Sequence, residues 1–156
     1  MQPSVIEITP EKEIWRDESI DYMIDVFNGN IEADYDSLNA ITTAMHDARV
    51  RDVVLYFLSR MDEEELSRAL MLLTKALTYT KADKRAPVAT CLSLAYGMIG
   101  LYDECVLANS IALIADIDYS LANLVKIMLD HEGTPELFND MMDKLTYDTC
   151  RYGDES

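Results

Sequence analysis

The feature that most constrains this chain is a recurrence of apolar residues three and four positions apart, repeated almost from end to end between capping signals. Leu66, Ala69, Leu70, Leu73, Ala76 and Leu77 form the cleanest such stripe. Asp62 followed by Glu65 gives it a capping-box start, because each side chain can accept a backbone N–H that the first turn leaves unsatisfied. The spacing predicts a helix from there to about Thr80. Seven further segments read the same way. The first runs from Asp17, taken as an N-cap, through Ile20, Met23, Ile24 and Phe27 to Asn28-Gly29. The next two run from Ser37 to about His46 and from about Arg49 to Arg60. Pro87 marks the start of another that ends at Gly100, followed by one from about Asp103 to Ala115. Ser120 is expected to cap a helix that stops at Gly133, and Thr134-Pro135 opens the last one.

These segments predict an all-α fold, a compact bundle of about seven to eight helices formed by residues 17–146 as a single domain. Residues 1–16 are expected to be an N-terminal arm, with Val5, Ile6 and Ile8 alternating in part as a short strand would. Lys81 to Arg85 reads as a flexible connection, and residues 147–156 as a flexible tail. The chain has 156 residues, 49% of them apolar, enough for a core of ordinary domain size. Its longest wholly apolar runs fall far below the roughly 18 residues needed to span a bilayer. The N-terminus lacks the basic and apolar segments of a secretory leader. Three cysteines, Cys91, Cys105 and Cys150, fit neither a disulfide framework nor a four-ligand zinc site, so the expected location is the reducing cytoplasm.

The net charge of −16 is uneven. Residues 1–36 hold ten acids and two bases, residues 37–100 seven acids and eight bases, and residues 101–156 twelve acids and three bases. Such a field repels phosphate backbones and anionic lipid, which argues against direct nucleic-acid or membrane binding and favours a basic protein partner.

Within this frame Leu92, Tyr96, Gly100, Tyr102, Cys105, Ala112 and Leu113 fall at the signature positions of a helix-turn-helix repeat. Residues 86–118 thereby resemble a single tetratricopeptide repeat, with Gly100 as its turn glycine and Cys105 and Ala112 where the two helices touch. Ile117 replaces the usual proline and Ser93 the usual smaller residue. No second copy follows at this period, so an extended solenoid is not expected. A wider stretch, 47–140, is similar to the C-terminal half of an uncharacterised helical family of actinobacteria and their phages. Its carrying segments are Arg49-Val50-Arg51-Asp52, Ala86-Pro87-Val88-Ala89-Thr90, Asp118-Tyr119-Ser120-Leu121-Ala122 and Gly133-Thr134-Pro135. That resemblance implies a helical fold and a phage or actinobacterial source, and no catalytic residues.

Chemistry has few anchors. His46-Asp47 with Asp52 is the best candidate for metal or acid–base work, yet His46 and His131 are the only histidines and neither has a second histidine at ligand spacing. Cys105 begins a helix, but its repeat position is a packing contact. Phosphate loops, nucleophile elbows and dinucleotide fingerprints are absent. The expectation is a protein that is not an enzyme, with no cofactor and no metal, working as an adaptor or inhibitor through contact with another protein. A phage source would make that partner a host protein, and a homodimer is left open. The alternative is an acidic mimic of nucleic acid that blocks a DNA- or RNA-binding protein. The candidate partner residues are Asp17, Asp21 and Asp25, which recur every four residues, and the pair Arg51 and Asp52.

Overall fold

The computed structural model describes residues 10–153, which form nine α-helices and no strand. In chain order they are α1 (Pro10–Phe27), α2 (Tyr35–Ala44), α3 (Ala48–Arg60), α4 (Glu63–Tyr79), α5 (Ala86–Met98), α6 (Tyr102–Ala115), α7 (Ser120–Asp130), α8 (Pro135–Asp143) and α9 (Tyr147–Tyr152). Every predicted apolar stripe lies on one of them. None is long and apolar enough to cross a membrane among the described residues.

α5 is the axis of the bundle. Its residues Ala86 to Ala95 are all buried, as are Gly97 and Met98, and it carries no charge, so it has no face to offer water. α3, α4, α6, α7 and α8 pack around it. α2 lies against α4, and α1 lies across α2 and α3. At the α5–α8 crossing the absence of a side chain on Gly97 is required, since a Cβ there would stand 2.6 Å from the Phe138 ring. Phe138 is fully buried.

α5 and α6 form the predicted helical hairpin. Gly100 has φ +80°, its N–H donates to the Gly97 carbonyl at 3.3 Å, and the Leu101 N–H donates to the Tyr96 carbonyl at 3.0 Å. This pair of bonds is a Schellman closure, which needs a left-handed residue at the turn. Across the hairpin the Ser93 hydroxyl donates to the Cys105 carbonyl at 2.7 Å. Thus Ser93 and Cys105 join the two helices of the hairpin.

The capping signals are used largely as the sequence indicates. Asp62 accepts from the Glu65 N–H at 2.8 Å while Glu65 accepts from the Asp62 N–H at 3.1 Å. Thr134 caps α8. Four expectations need correction. The helix expected from Asp17 begins at Pro10, so residues 10–16 are helix rather than arm, with proline and the acids Glu11 and Glu13 in the first turn, where the helix dipole favours them. Val5, Ile6 and Ile8 lie outside the described residues. Ser120 does not cap α7 but is its first residue, after Tyr119. Lys81 to Arg85 is not a flexible link: Ala82–Lys84 is a 3-10 turn, and Arg85 Nε donates to the Thr80 carbonyl at 2.9 Å. Finally, residues 147–152 of the expected tail form α9. Thr146 caps it, Cys150 is buried in the core, and Tyr147 meets the rings of Tyr56 and Phe57 edge-on.

Candidate interaction surface

The five residues singled out from the sequence are held by intramolecular contacts or by position. Arg51 and Asp52 are an ion pair at 2.8 Å. Arg51 Nη1 also donates to the Tyr119 hydroxyl at 3.1 Å and its guanidinium lies over the Tyr119 ring. The pair therefore ties α3 to the loop between α6 and α7. Burial works against the guanidinium charge, but the Tyr119 bond and the Asp52 carboxylate outweigh it and hold Arg51 above its ordinary value. Asp17 and Asp21 both grip Arg151 of α9, each at 3.2 Å. Asp25 stands one turn further on, where its carbonyl accepts from the N–H groups of Asn30 and Ile31 to close α1. The regular acid spacing on α1 is thus in part a docking site for α9.

The strongest ion pair was not anticipated as a pair. Arg16 on α1 donates from Nε and Nη2 to both carboxylate oxygens of Asp47 at 2.9 and 2.7 Å, with both side chains buried. Asp47 also caps α3 through the N–H groups of Arg49 and Val50. Burial alone pushes this carboxyl up, while the Arg16 bond, the two amides and the Arg16 charge together bring it below its ordinary value. The neighbouring His46 faces away, with Nε2 3.2 Å from the Lys84 carbonyl, and His131 Nδ1 is 2.8 Å from the Ile127 carbonyl. The structure does not assemble His46, Asp47 and Asp52. Among the described residues no group of three His, Cys, Asp or Glu side chains is placed to hold a metal.

The thiols are equally inward. All three are free and buried, and burial pushes Cys91 up to about 12 and Cys150 to about 11. Cys105 is likewise raised by burial, partly offset by its contact with Ser93.

What the charge pattern and the repeat signature did not disclose is the outer side of α6. Ile114 is 86% exposed and Leu107 63%, and Ile117, in the loop just after the helix, is 75% exposed. Tyr102 and Ile127 are also more than half exposed. Between α6 and α7 runs an open groove of about 510 Å³, walled by Tyr102, Val106, Leu113, Ile114 and Ile117 and bordered on α7 by Lys126 and Asp130. Asn109 lies in its floor. The Asn109 amide Nδ2 donates to the Ala122 carbonyl at 3.1 Å, which leaves Oδ1 as a buried acceptor with no donor. The signal was present in the chain: Cys105 to Ala115 contains no charged residue, although one face of the helix it forms is in water. A solvated helix face is ordinarily charged.

A second open groove, of about 570 Å³, lies between the Asn28–Ala33 connection and α4. Its wall includes Met71, Leu72, Arg68 and Lys75. Lys75 is held to the Ala33 carbonyl at 3.0 Å. The geometry at neither groove brings a nucleophile to a base.

No family model matches this chain, and neither a curated protein nor a solved structure matches it.

Proposed function

We propose that this is a non-enzymatic protein–protein interaction module, an adaptor or inhibitor, whose contact surface is the outer side of α6 with the groove it shares with α7. The observation that carries this reading is Ile114, 86% exposed near the C-terminal end of α6, whose last eleven residues, Cys105 to Ala115, carry no charge. Contiguous apolar surface beyond a few hundred Å² is uncommon on a free monomer and marks contact sites.

The alternative, a nucleic-acid mimic, draws on the acid excess. Arg16, Arg51 and Arg151 pair with four carboxylates, those of Asp47, Asp52, Asp17 and Asp21, a small share of the 29 acids in the chain. Two of the three acids first assigned to mimicry are engaged with Arg151, which weights the reading toward α6.

Capture from lysate of the source cell separates the two. Wild-type protein should retain a partner, whether another protein or a second copy of this chain, at about 1 M salt, where the Debye length is about 3 Å, and Ile114→Asp should lose it. A partner that Ile114→Asp retains and that salt releases would move the function to the acidic flanks.

A further inference from the structure

We infer that the occupant of the α6–α7 face is a second copy of this chain, in a two-fold symmetric dimer whose axis passes between Lys126 and Asp130. The inference rests on the reading of this face as a contact surface and names what covers it. Three observations lead to a second copy.

The first is area. Tyr102, Leu107, Ile114, Ile117 and Ile127 are between 51% and 86% exposed, which at roughly 200 Å² for a large side chain presents on the order of 600 Å² of apolar surface. A stable interface takes about 800 Å² from each partner, and one between like subunits is about 65% apolar. About 500 Å² of apolar surface per copy is therefore enough, and this face supplies it.

The second is charge. Two copies each carrying −16 repel, so they can meet only where acids are scarce. Cys105 to Ala115 has none. A basic partner would instead be drawn to the acid-rich residues 1–36, and gains nothing from the uncharged stretch Cys105 to Ala115 itself.

The third is self-complementarity. Lys126 and Asp130 border the groove one helical turn apart, and neither makes an ion pair or side-chain hydrogen bond among the described residues. A two-fold axis between them sets Lys126 against the partner's Asp130 and Asp130 against the partner's Lys126, because in an isologous contact each pairing occurs twice. One cation and one anion thus satisfy each other in a dimer and stay unpaired in a monomer.

Sedimentation velocity from about 5 to 500 µM tests this. Wild type should shift from monomer to dimer with concentration, and Ile114→Asp should remain monomeric with an unchanged helical circular dichroism spectrum. Lys126→Asp and Asp130→Lys should each be monomeric alone, since each sets like charges against one another. Mixed in equal amounts, they should form a heterodimer, because both cross-axis pairs are then opposite in sign. That recovery cannot come from a folding defect. Wild type that stays monomeric at 500 µM, or a mixture that stays monomeric, overturns the dimer. Loss of a different captured protein on Ile114→Asp would then assign the face to that protein, so failure of the dimer is distinguishable from failure of the contact surface.

Discussion

Gly97 and Gly100 sit three residues apart and are required for different reasons, one steric and one conformational. At Gly97 any Cβ would stand within 3 Å of the Phe138 ring, and both lie in a packed interior with no slack to absorb it. Gly97→Ala should therefore destabilise by about 1–3 kcal/mol, the usual cost of overpacking, and prise α8 from α5; thermal melting reads the first and hydrogen exchange on α8 the second. At Gly100 the difficulty is φ +80°, poorly tolerated by a β-branched residue, with Pro135 Cγ a further 3.2 Å from the added Cβ. Gly100→Val should cost about 1 kcal/mol or more, and an unchanged melting temperature would show that the Schellman turn does not govern the hairpin. Only the second glycine was legible in the sequence, because turn chemistry is local whereas the Gly97 contact joins residues 41 positions apart.

At the level of elements, α1 and α9 show why some helices escape a reading by periodicity. The first turns of α1 place Ile14 and Trp15 outward, so no apolar stripe precedes Ile20. They are held instead by Arg16 and its bond to Asp47. α9 has six residues and one buried side chain, Cys150, and is placed by long-range contacts: Arg151 with two acids more than 120 positions away, Tyr147 with the rings of Tyr56 and Phe57, and the Tyr152 carbonyl with Arg49. None of these interactions leaves a trace within a short window of sequence. The Arg16–Asp47 pair gives a prediction with a definite sign. Because the folded carboxyl lies below its ordinary value of 3.8, its contribution is fully present above that pH and is lost as pH falls through the folded value. Asp47→Asn keeps a capping oxygen but leaves Arg16 buried without its anion, so at neutral pH it should destabilise by roughly 3 kcal/mol. The gap between variant and wild type should narrow below pH 4 and close once the wild-type carboxyl is protonated, as urea titrations at several pH values would reveal. A gap independent of pH would mean that Asp47 acts as a cap alone. Arg151 is the milder case: Asp17 and Asp21 are 52% and 66% exposed at the side chain, so Asp17→Asn with Asp21→Asn should cost no more than about 1 kcal/mol, felt mainly in α9.

For the whole molecule, the three cysteines divide the fold into regions that open by different routes. Cys91 and Cys105, fully buried on α5 and α6, belong to the hairpin at the centre of the bundle, whereas Cys150 lies on a helix of under two turns held to α3 by Tyr147 and to α1 by partly exposed ion pairs. Burial also holds all three thiols above their ordinary value, which leaves little thiolate at pH 8, so a disulfide reagent should react through opening alone. Local openings cost less than global unfolding when few buried contacts are broken. Cys150 should accordingly be modified first, faster in about 0.5 M salt and faster again with Asp17→Asn and Asp21→Asn, since both weaken the hold on Arg151. Cys91 and Cys105 should follow together, at rates that track global stability as urea is added and that Gly97→Ala raises in parallel. A single common rate for all three would mean that α9 opens only with the bundle. Early modification of Cys105 ahead of Cys91 would mean that α6 detaches from α5, and with it the face around Ile114 would lose the rigid backing that a contact surface requires.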